Sequence, residues 1–284
     1  MTDRNSSRGE QDGLRFWKMT GAGNDFLLID CREWPPGEDI SRWVREVCRR
    51  GVSVGADGAI FVDHMGGDRW KVRFFNPDGK ETFCANGARC ATRFAVLRNR
   101  AATPLVLETI RGSLRSVVDG DRVRLELGRC HIVNLDLQLT VGAETFQGSL
   151  IHVGVPHLVI FHPDPGAVDL IRLGGKLRAH PDLGPEGANV NFVRREPGGR
   201  LWVRTYERGV EGETRSCGTG SVAAVLVAAC REFADSPTVC RTLSGSDLRV
   251  SFLRDGDQFR EVFLEGEARL VYTGTLPGGV GEQA

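Results

Sequence analysis

Two stretches decide the fold of this chain, Glu81-Thr82-Phe83-Cys84-Ala85-Asn86-Gly87 and Glu213-Thr214-Arg215-Ser216-Cys217-Gly218-Thr219-Gly220. Each has a cysteine that follows a Glu-Thr pair, and each runs directly into an alanine-rich, apolar segment. This pattern predicts helices over 87–98 and 218–232, with a cysteine at the start of each. The second helix is apolar on all sides across 222–230, which predicts that it is buried. The repeated motif indicates two thiols that face one substrate.

The repeat extends upstream of both cysteines. Gly23-Asn24-Asp25-Phe26 precedes the first motif, and Asn189-Val190-Asn191-Phe192 precedes the second. Because the matching segments recur in the same order, they indicate two duplicated halves related by a pseudo-twofold axis. A β-rich stretch ends near residues 128–132, and we place the boundary between the halves there.

Strand patterns dominate the remaining segments. An amphipathic segment predicts a further helix over 41–50, with Ser41 as its N-cap. Alternating or β-rich residues predict strands at 70–75, 122–127, 201–206 and 261–264. Together these patterns predict an α+β fold.

The composition restricts the classes of function. The 284 residues carry 37 basic and 37 acidic side chains, so a net charge of zero provides no general attraction to nucleic acid or to an anionic membrane. The longest apolar run, 222–230, is shorter than the ~20 residues that a membrane-spanning helix needs. Residues 1–13 are polar and predict a disordered leader rather than a signal peptide. We therefore expect a cytoplasmic protein.

The spacing of the cysteines argues against a metal site. No Cys-x-x-Cys pair is present, so neither a thioredoxin-like motif nor a structural zinc site is expected. In a cytoplasmic protein we expect the thiols to be reduced. The cysteines outside the two motifs are expected to be structural: Cys31, Cys48, Cys90, Cys130, Cys230 and Cys240.

A cysteine at a helix N-terminus is suited to proton transfer. Unpaired backbone N–H groups and the positive end of the helix dipole favour thiolate over thiol there. Gly87, Gly218 and Gly220 leave space for a substrate carboxylate to approach the same N–H groups. Two such helix ends that face each other would place a sulfur on each face of the carbon beside that carboxylate. One thiolate would then remove the α-proton while the opposing thiol delivers a proton to the other face.

A set of motifs carries a resemblance to a known family. They are WKMTGAGNDF (17–26), GADG (55–58), FNPDG (75–79), CANGARC (84–90), NVNF (189–192), YERG (206–209) and ETRSCGTG (213–220). From about Phe16 to its C-terminal segment, the chain resembles diaminopimelate epimerase. The resemblance implies a cofactor-independent isomerase that interconverts LL- and meso-diaminopimelate in the synthesis of lysine and peptidoglycan precursors.

The resemblance also implies an architecture. It predicts two pseudo-symmetric domains, each a barrel-like β-sheet wrapped around a central helix, with the active site in the cleft between them. On this basis the N-terminal domain spans 14–130 and is completed by 273–284, while the C-terminal domain spans 131–272. The implied partners are the small-molecule substrate and a second subunit in a homodimer, with no nucleic acid and no membrane. No metal or other cofactor is implied.

Roles are carried over to the residues that match the family's motifs. Cys84 and Cys217 match the two catalytic bases, and His157 and Glu207 match polar groups beside the thiols that help to set their protonation. The positions that match substrate-binding residues are Asn24, Asn76, Ala85, Asn86, Asn189, Arg208, Gly218 and Thr219. Among these, the planar guanidinium of Arg208 suits the distant carboxylate of the substrate.

Departures from the family pattern affect the identity of the substrate more than the chemistry. Val155 stands where the family often has an asparagine before Pro-His, which removes one polar contact to the far end of the substrate. Ala85 replaces the usual glycine after the first catalytic cysteine and adds a methyl group near the carboxylate cradle. The segment 208–214 exceeds the shortest family form by one residue.

Other functions fit parts of the pattern. A two-thiol racemase for another amino acid would keep the chemistry, with Val155 relaxing recognition of the far end of the substrate. A cysteine hydrolase would use Cys84 or Cys217 with His157, and it leaves the second cysteine without a role. A non-enzymatic binding protein on the same scaffold would tolerate the loss of both thiols.

Overall fold

The structure is a computed structural model that describes residues 13–277 except 36, 100 and 257. Residues 1–12 of the expected leader therefore lie outside the described residues. The helices of the described part are α1 (Ile40–Val47), α2 (Ala85–Asn99), α3 (Leu170–Arg178) and α4 (Gly218–Cys230). As predicted, α2 and α4 begin immediately after Cys84 and Cys217.

Strands make up most of the remaining structure. Those up to the middle of the chain are β1 (Leu14–Gly21), β2 (Asn24–Asp30), β3 (Gly58–Gly66), β4 (Arg69–Phe75), β5 (Glu81–Thr82), β6 (Leu105–Thr109), β7 (Gly112–Asp119), β8 (Arg122–Glu126) and β9 (Cys130–Val141). Those that follow are β10 (Glu144–His152), β11 (Pro156–Phe161), β12 (Asn189–Arg195), β13 (Leu201–Glu207), β14 (Gly212–Thr214), β15 (Thr238–Arg241), β16 (Asp247–Asp255), β17 (Gln258–Glu267) and β18 (Arg269–Leu276).

The two halves repeat one pattern of strand pairing. In the first half β1 is antiparallel to β2, and β2 is parallel to β3. Strand β3 is then antiparallel to β4, and β4 is parallel to β6. Strands β6, β7 and β8 follow as successive antiparallel neighbours. Strands β10, β11, β12, β13, β15, β16 and β17 repeat the same series of parallel and antiparallel pairs. The predicted pseudo-symmetric α+β fold is confirmed.

The outer strands tie the two ends of the chain together. Strand β18 pairs with β1, with Leu14 opposite Leu276, just as β9 pairs with β10 in the other half. Strand β8 pairs with β17, with Phe263 opposite Glu126, and thereby joins the two sheets. Among the residues that the structure describes, the last strand therefore lies beside the first one. The division at residue 130 stays a prediction.

Each sheet wraps around a central helix and carries a second helix outside. Side chains of α2 and α4, among them Phe94 and Leu226, belong to one shared apolar core, and residues 222–228 of α4 are fully buried, as predicted. On the outer faces, Trp43 of α1 packs in a separate cluster on the first sheet, and Leu173 of α3 does so on the second. Helix α4 is buried along most of its length, while α2 also exposes Leu97 near its C-terminal end.

Two details of the helices differ from the prediction. The N-cap of α1 is Asp39 rather than Ser41, because the Asp39 carboxylate accepts hydrogen bonds from the backbone N–H groups of Ser41 and Arg42 at 2.9 and 3.2 Å. Helix α3 was not predicted, since a Gly174-Gly175 pair interrupts its pattern. A Cβ atom at Gly174 would lie 2.5 Å from the Tyr206 ring, so close packing requires glycine there.

Candidate active site

A cavity of about 570 Å³ lies between the two halves, and the starts of α2 and α4 form part of its wall. Almost every residue predicted from the sequence lines it: Cys84, Cys217, Glu207, Asn24, Asn76, Ala85, Asn86, Asn189, Arg208, Gly218 and Thr219. His157 is the exception, because it is not among the lining residues. The cavity therefore brings together both repeated motifs.

The N-termini of the two central helices are in direct contact. A Cβ atom at Gly218 would lie 3.1 Å from the Cβ of Ala85 and 3.4 Å from Oδ1 of Asn86. Across the same contact, Nδ2 of Asn86 donates a hydrogen bond to the carbonyl of Ser216 at 3.3 Å. Since there is no room for a side chain at position 218, glycine is what allows the helices to approach this closely.

Asn86 connects several polar groups of the site. Its Nδ2 also donates to Oδ1 of Asn24 at 2.7 Å, and its Oδ1 accepts from Nη2 of Arg89 at 2.7 Å. Asn24 in turn donates to Oδ2 of Asp57 at 3.0 Å. The side chains of Asn24 and Asn86, both predicted to bind substrate, therefore hold each other in place.

Two residues of this network lie inside quoted motifs, GADG and CANGARC, but were given no role by the sequence analysis. Arg89 is fully buried, and its Nε and Nη1 have no hydrogen-bond partner among the described residues. An arginine within the first two turns of α2, close to Cys84, is a signal that could have revealed it. Asp57 gives no such local signal, because its partners Asn24 and Arg50 are far away or in the preceding loop.

Burial dominates the acidity of both thiols. It raises the pKa of Cys84 to about 11, although the backbone N–H of Gly87, 3.4 Å from Sγ, opposes this rise. Burial also raises the pKa of Cys217, as does the nearby Glu207 carboxylate, while the Thr219 hydroxyl, 3.6 Å from Sγ, acts in the opposite direction. The N–H groups at the helix ends thus lower the pKa of each thiol, as expected, but desolvation outweighs them and the net shift favours the thiol.

Glu207 lies at the end of β13 and lines the cavity together with the second thiol. Burial raises the pKa of its carboxyl group, and a hydrogen bond with Cys217 opposes that rise. Its charge also acts on Cys84, where it raises the thiol pKa. One carboxyl group is thus coupled to both cysteines, as expected for a residue that influences their protonation.

His157 lies behind the cavity wall rather than in it. The ring is fully buried, with Nδ1 3.2 Å from the Asn191 amide nitrogen and Nε2 3.4 Å from that of Asn189. Burial lowers the pKa of His157 to about 3, so the imidazole is neutral. Asn189 reaches the cavity and accepts a hydrogen bond from the backbone N–H of Arg208 at 2.8 Å. Any influence of His157 on a ligand therefore passes through Asn189.

The neutral state of His157 predicts a pH-dependent contribution to stability. Because folding lowers its pKa from 6.5 to about 3, this contribution is complete above pH 6.5 and is lost as the pH falls toward 3. As the pH falls over this range, the free energy of unfolding should decrease more steeply for the wild type than for His157→Gln. The two slopes should differ by up to about 1.4 kcal/mol per pH unit. Urea unfolding at a series of pH values measures the difference. The exposed His64→Gln control should follow the wild type, and equal slopes for His157→Gln would contradict the prediction.

Two neighbouring arginines, Arg111 and Arg208, line one part of the cavity, which we call its far end. Arg208 donates from Nη1 to Oε2 of the exposed Glu186 at 3.0 Å. Arg111, which the sequence analysis did not select, lines the same region together with Val155. Its position in a Thr-x-Arg-Gly hairpin turn gives no sign of a site, so only the folded structure reveals it.

The comparisons with known proteins agree with this architecture. The sequence profile of the diaminopimelate epimerase family matches residues 16–133 and 149–271. The chain belongs to this family. Diaminopimelate epimerase of Hydrogenobaculum sp. (strain Y04AAS1) is 37% identical over 91% of this chain and 97% of its own length. The enzyme of the same name from Aquifex aeolicus is 38% identical over 93% and 98%.

Solved structures share the fold at low sequence identity. A hydroxyproline epimerase from Agrobacterium vitis matches with a TM-score of 0.68 and 18% identity, over 94% of both chains. A PhzF-family phenazine biosynthesis protein from Bacillus anthracis matches with a TM-score of 0.69 and 14% identity, over 93% of this chain and 98% of that one. No helix within the described ranges is long and apolar enough to cross a membrane.

Proposed function

We propose that this protein epimerises LL-diaminopimelate to meso-diaminopimelate by acid–base catalysis with two cysteines. The observation that carries the proposal is the contact between the starts of α2 and α4, each of which presents a cysteine to the same cavity. The chain is also 37–38% identical to relatives named diaminopimelate epimerase over nearly their whole length. The protein is thus an isomerase that inverts one carbon between two thiols.

The helix ends supply the cradle for the reacting carboxylate. The backbone N–H groups at Ala85, Asn86, Gly218 and Thr219 belong to the first turns of α2 and α4, where they lack partners within the helix. They attract the carboxylate and stabilise the negative charge that spreads onto it when the α-proton leaves. The methyl group of Ala85 packs against Gly218 at the contact between the helices.

The raised pKa values of the two thiols suit this chemistry. An amino-acid α-proton is very weakly acidic, so a thiolate of high pKa is a stronger base for it than an ordinary thiolate. One thiolate takes the α-proton, and the carbanion takes a proton from the opposing thiol on its other face. The two cysteines thereby exchange protonation states, and no other reactant is consumed.

Arg208 is proposed to bind the distant carboxylate. Loss of its charged hydrogen bonds in Arg208→Ala should raise KM by about 10- to 100-fold, with a smaller change in kcat. Glu186→Gln serves as the control, since it removes only the exposed partner of Arg208 and should leave KM unchanged or lower it. Steady-state kinetics with LL-diaminopimelate measures both, and an unchanged KM in Arg208→Ala would exclude this role.

The alternatives differ in what they require of the site. A hydrolase that pairs a cysteine with His157 needs the imidazole beside a thiol, whereas its two ring nitrogens face Asn189 and Asn191. A racemase for another amino acid remains the second candidate, since Val155 lines the cavity at the far end. Against that candidate, the two arginines there fit a substrate with a second anionic group.

The proposal is tested by incubating the purified protein with LL-diaminopimelate and with a panel of other amino acids in deuterated water. Chiral chromatography and mass spectrometry should detect meso-diaminopimelate and deuterium at its α-carbon. Exchange into another amino acid, with none into diaminopimelate, would favour the second candidate. No exchange into any amino acid would indicate a binding protein.

The biological setting belongs to the same proposal. We place the enzyme in the cytoplasm, in the synthesis of lysine and peptidoglycan precursors, as a cofactor-independent homodimer. Each subunit is proposed to contain an N-terminal domain of residues 14–130, completed by 273–284, and a C-terminal domain of residues 131–272.

A further inference from the structure

Arg111 occupies the tip of a tight hairpin from the first half of the molecule. Strands β6 and β7 pair up to Thr109 and Gly112, so Arg111 lies in the turn itself. The backbone N–H of Arg111 donates to Oγ1 of Thr109 at 3.1 Å, and the hydroxyl of Thr109 donates to the carbonyl of Gly112 at 2.9 Å. These bonds fix the turn, and the Arg111 side chain extends from it to the cavity wall.

The Arg111 side chain lies close to residues of both halves. Its guanidinium carbon lies 5.6 Å from the centre of the Phe83 ring, next to the first catalytic cysteine. Its Nη1 lies 3.1 Å from the position that a Cβ atom at Gly154 would take, immediately before Val155. Arg111 therefore approaches the place where the family's polar contact to the substrate is missing.

The positive charge of Arg111 has no carboxylate partner among the described residues. It forms no ion pair with any residue that the structure describes, and its pKa is lowered by burial and by the charge of Arg208. The carboxylates in the cavity wall are engaged elsewhere: Asp57 with Arg50, Asp78 with Lys80, Glu213 with Arg204 and Glu207 with Cys217. Two guanidinium groups thus share the far end of the cavity. Of the two, Arg208 has a carboxylate partner there, the exposed Glu186.

We propose that Arg111 is a specificity-determining residue that binds the second carboxylate of the substrate together with Arg208. It supplies a charged contact on the side of the cavity where Val155 provides none. Because Arg111 comes from the first half and Arg208 from the second, one carboxylate held by both would also tie the halves together over the substrate. This inference rests on the proposed function.

The test compares Arg111→Ala with the wild type on LL-diaminopimelate. The variant should raise KM by about 10- to 100-fold through the lost charged hydrogen bonds, with little change in kcat. Arg115→Ala is the matched control, because Arg115 is an exposed arginine on the same hairpin that does not line the cavity. Its KM should equal that of the wild type, and thermal unfolding should show that both variants remain folded.

A second substrate separates binding from a structural effect. Diaminopimelate with its distant carboxylate converted to a carboxamide lacks the group that Arg111 is proposed to bind, so Arg111→Ala should cause little further loss on it. An unchanged KM for LL-diaminopimelate, or an equal loss on the carboxamide, would overturn the role of Arg111 while the proposed function stands. A wild-type protein that turns over neither compound would overturn both proposals.

Discussion

Replacing either Cys84 or Cys217 with alanine should abolish epimerisation in both directions. Each variant lacks one of the two groups that must remove and deliver the proton, and positioned acid–base groups of this kind contribute about 10²- to 10⁴-fold to the rate. Both thiols line one cavity at the ends of contacting helices, so neither can substitute for the other. The values of kcat for LL- and meso-diaminopimelate measure the loss.

The control for these variants is a cysteine outside the site. Cys31 lies in a short helical turn beside β2 and does not line the cavity, so Cys31→Ala should retain wild-type activity. Retention of activity by either Cys84→Ala or Cys217→Ala would show that one thiol is sufficient. That result would favour a mechanism with a single cysteine, as in a hydrolase.

Asn86 and Arg89 should show strong coupling in a double-mutant cycle. Asn86→Leu removes the only hydrogen bond that the Arg89 side chain makes among the described residues, and it leaves a buried guanidinium without a partner. We expect this change to lower the free energy of unfolding by about 2–3 kcal/mol. It should also reduce kcat, because the bond between Asn86 and Ser216 no longer holds the two helix starts in register.

The double variant distinguishes the effect on stability from the effect on catalysis. Replacing both partners with apolar residues of similar shape removes the buried charge, so Asn86→Leu/Arg89→Met should recover most of the lost stability. Activity should stay low, because the contacts of Asn86 with Asn24 and Ser216 are still absent. Urea unfolding and steady-state kinetics on all four proteins complete the cycle. Stability losses that simply add, or full activity of Asn86→Leu, would contradict this account.

The sequence was sufficient to predict the features that depend on local pattern. A cysteine before an alanine-rich segment predicted the starts of α2 and α4, and the repeated order of motifs predicted two similar halves. The family resemblance selected almost all of the residues that line the cavity. Both kinds of prediction use short segments, whose structure is largely set by neighbouring residues.

The remaining features depend on contacts between distant parts of the chain. Asn86 reaches Asn24 across 62 positions and Ser216 across 130, so no local pattern reveals that these groups hold one another. The net rise in the thiol pKa values was not predicted for a related reason, since it is caused mainly by burial in the folded protein, which no local pattern reveals. His157 was expected beside the thiols, but its ring points to two asparagines.

The central claim, that two opposed thiols transfer the proton, is tested most directly by following deuterium during the first turnovers of LL-diaminopimelate in deuterated water. If one cysteine removes the proton and the other delivers one from solvent, the meso product carries deuterium at the inverted carbon while the remaining LL substrate carries none. Product that retains the original hydrogen, or substrate that gains deuterium as quickly as product forms, would contradict the two-thiol mechanism.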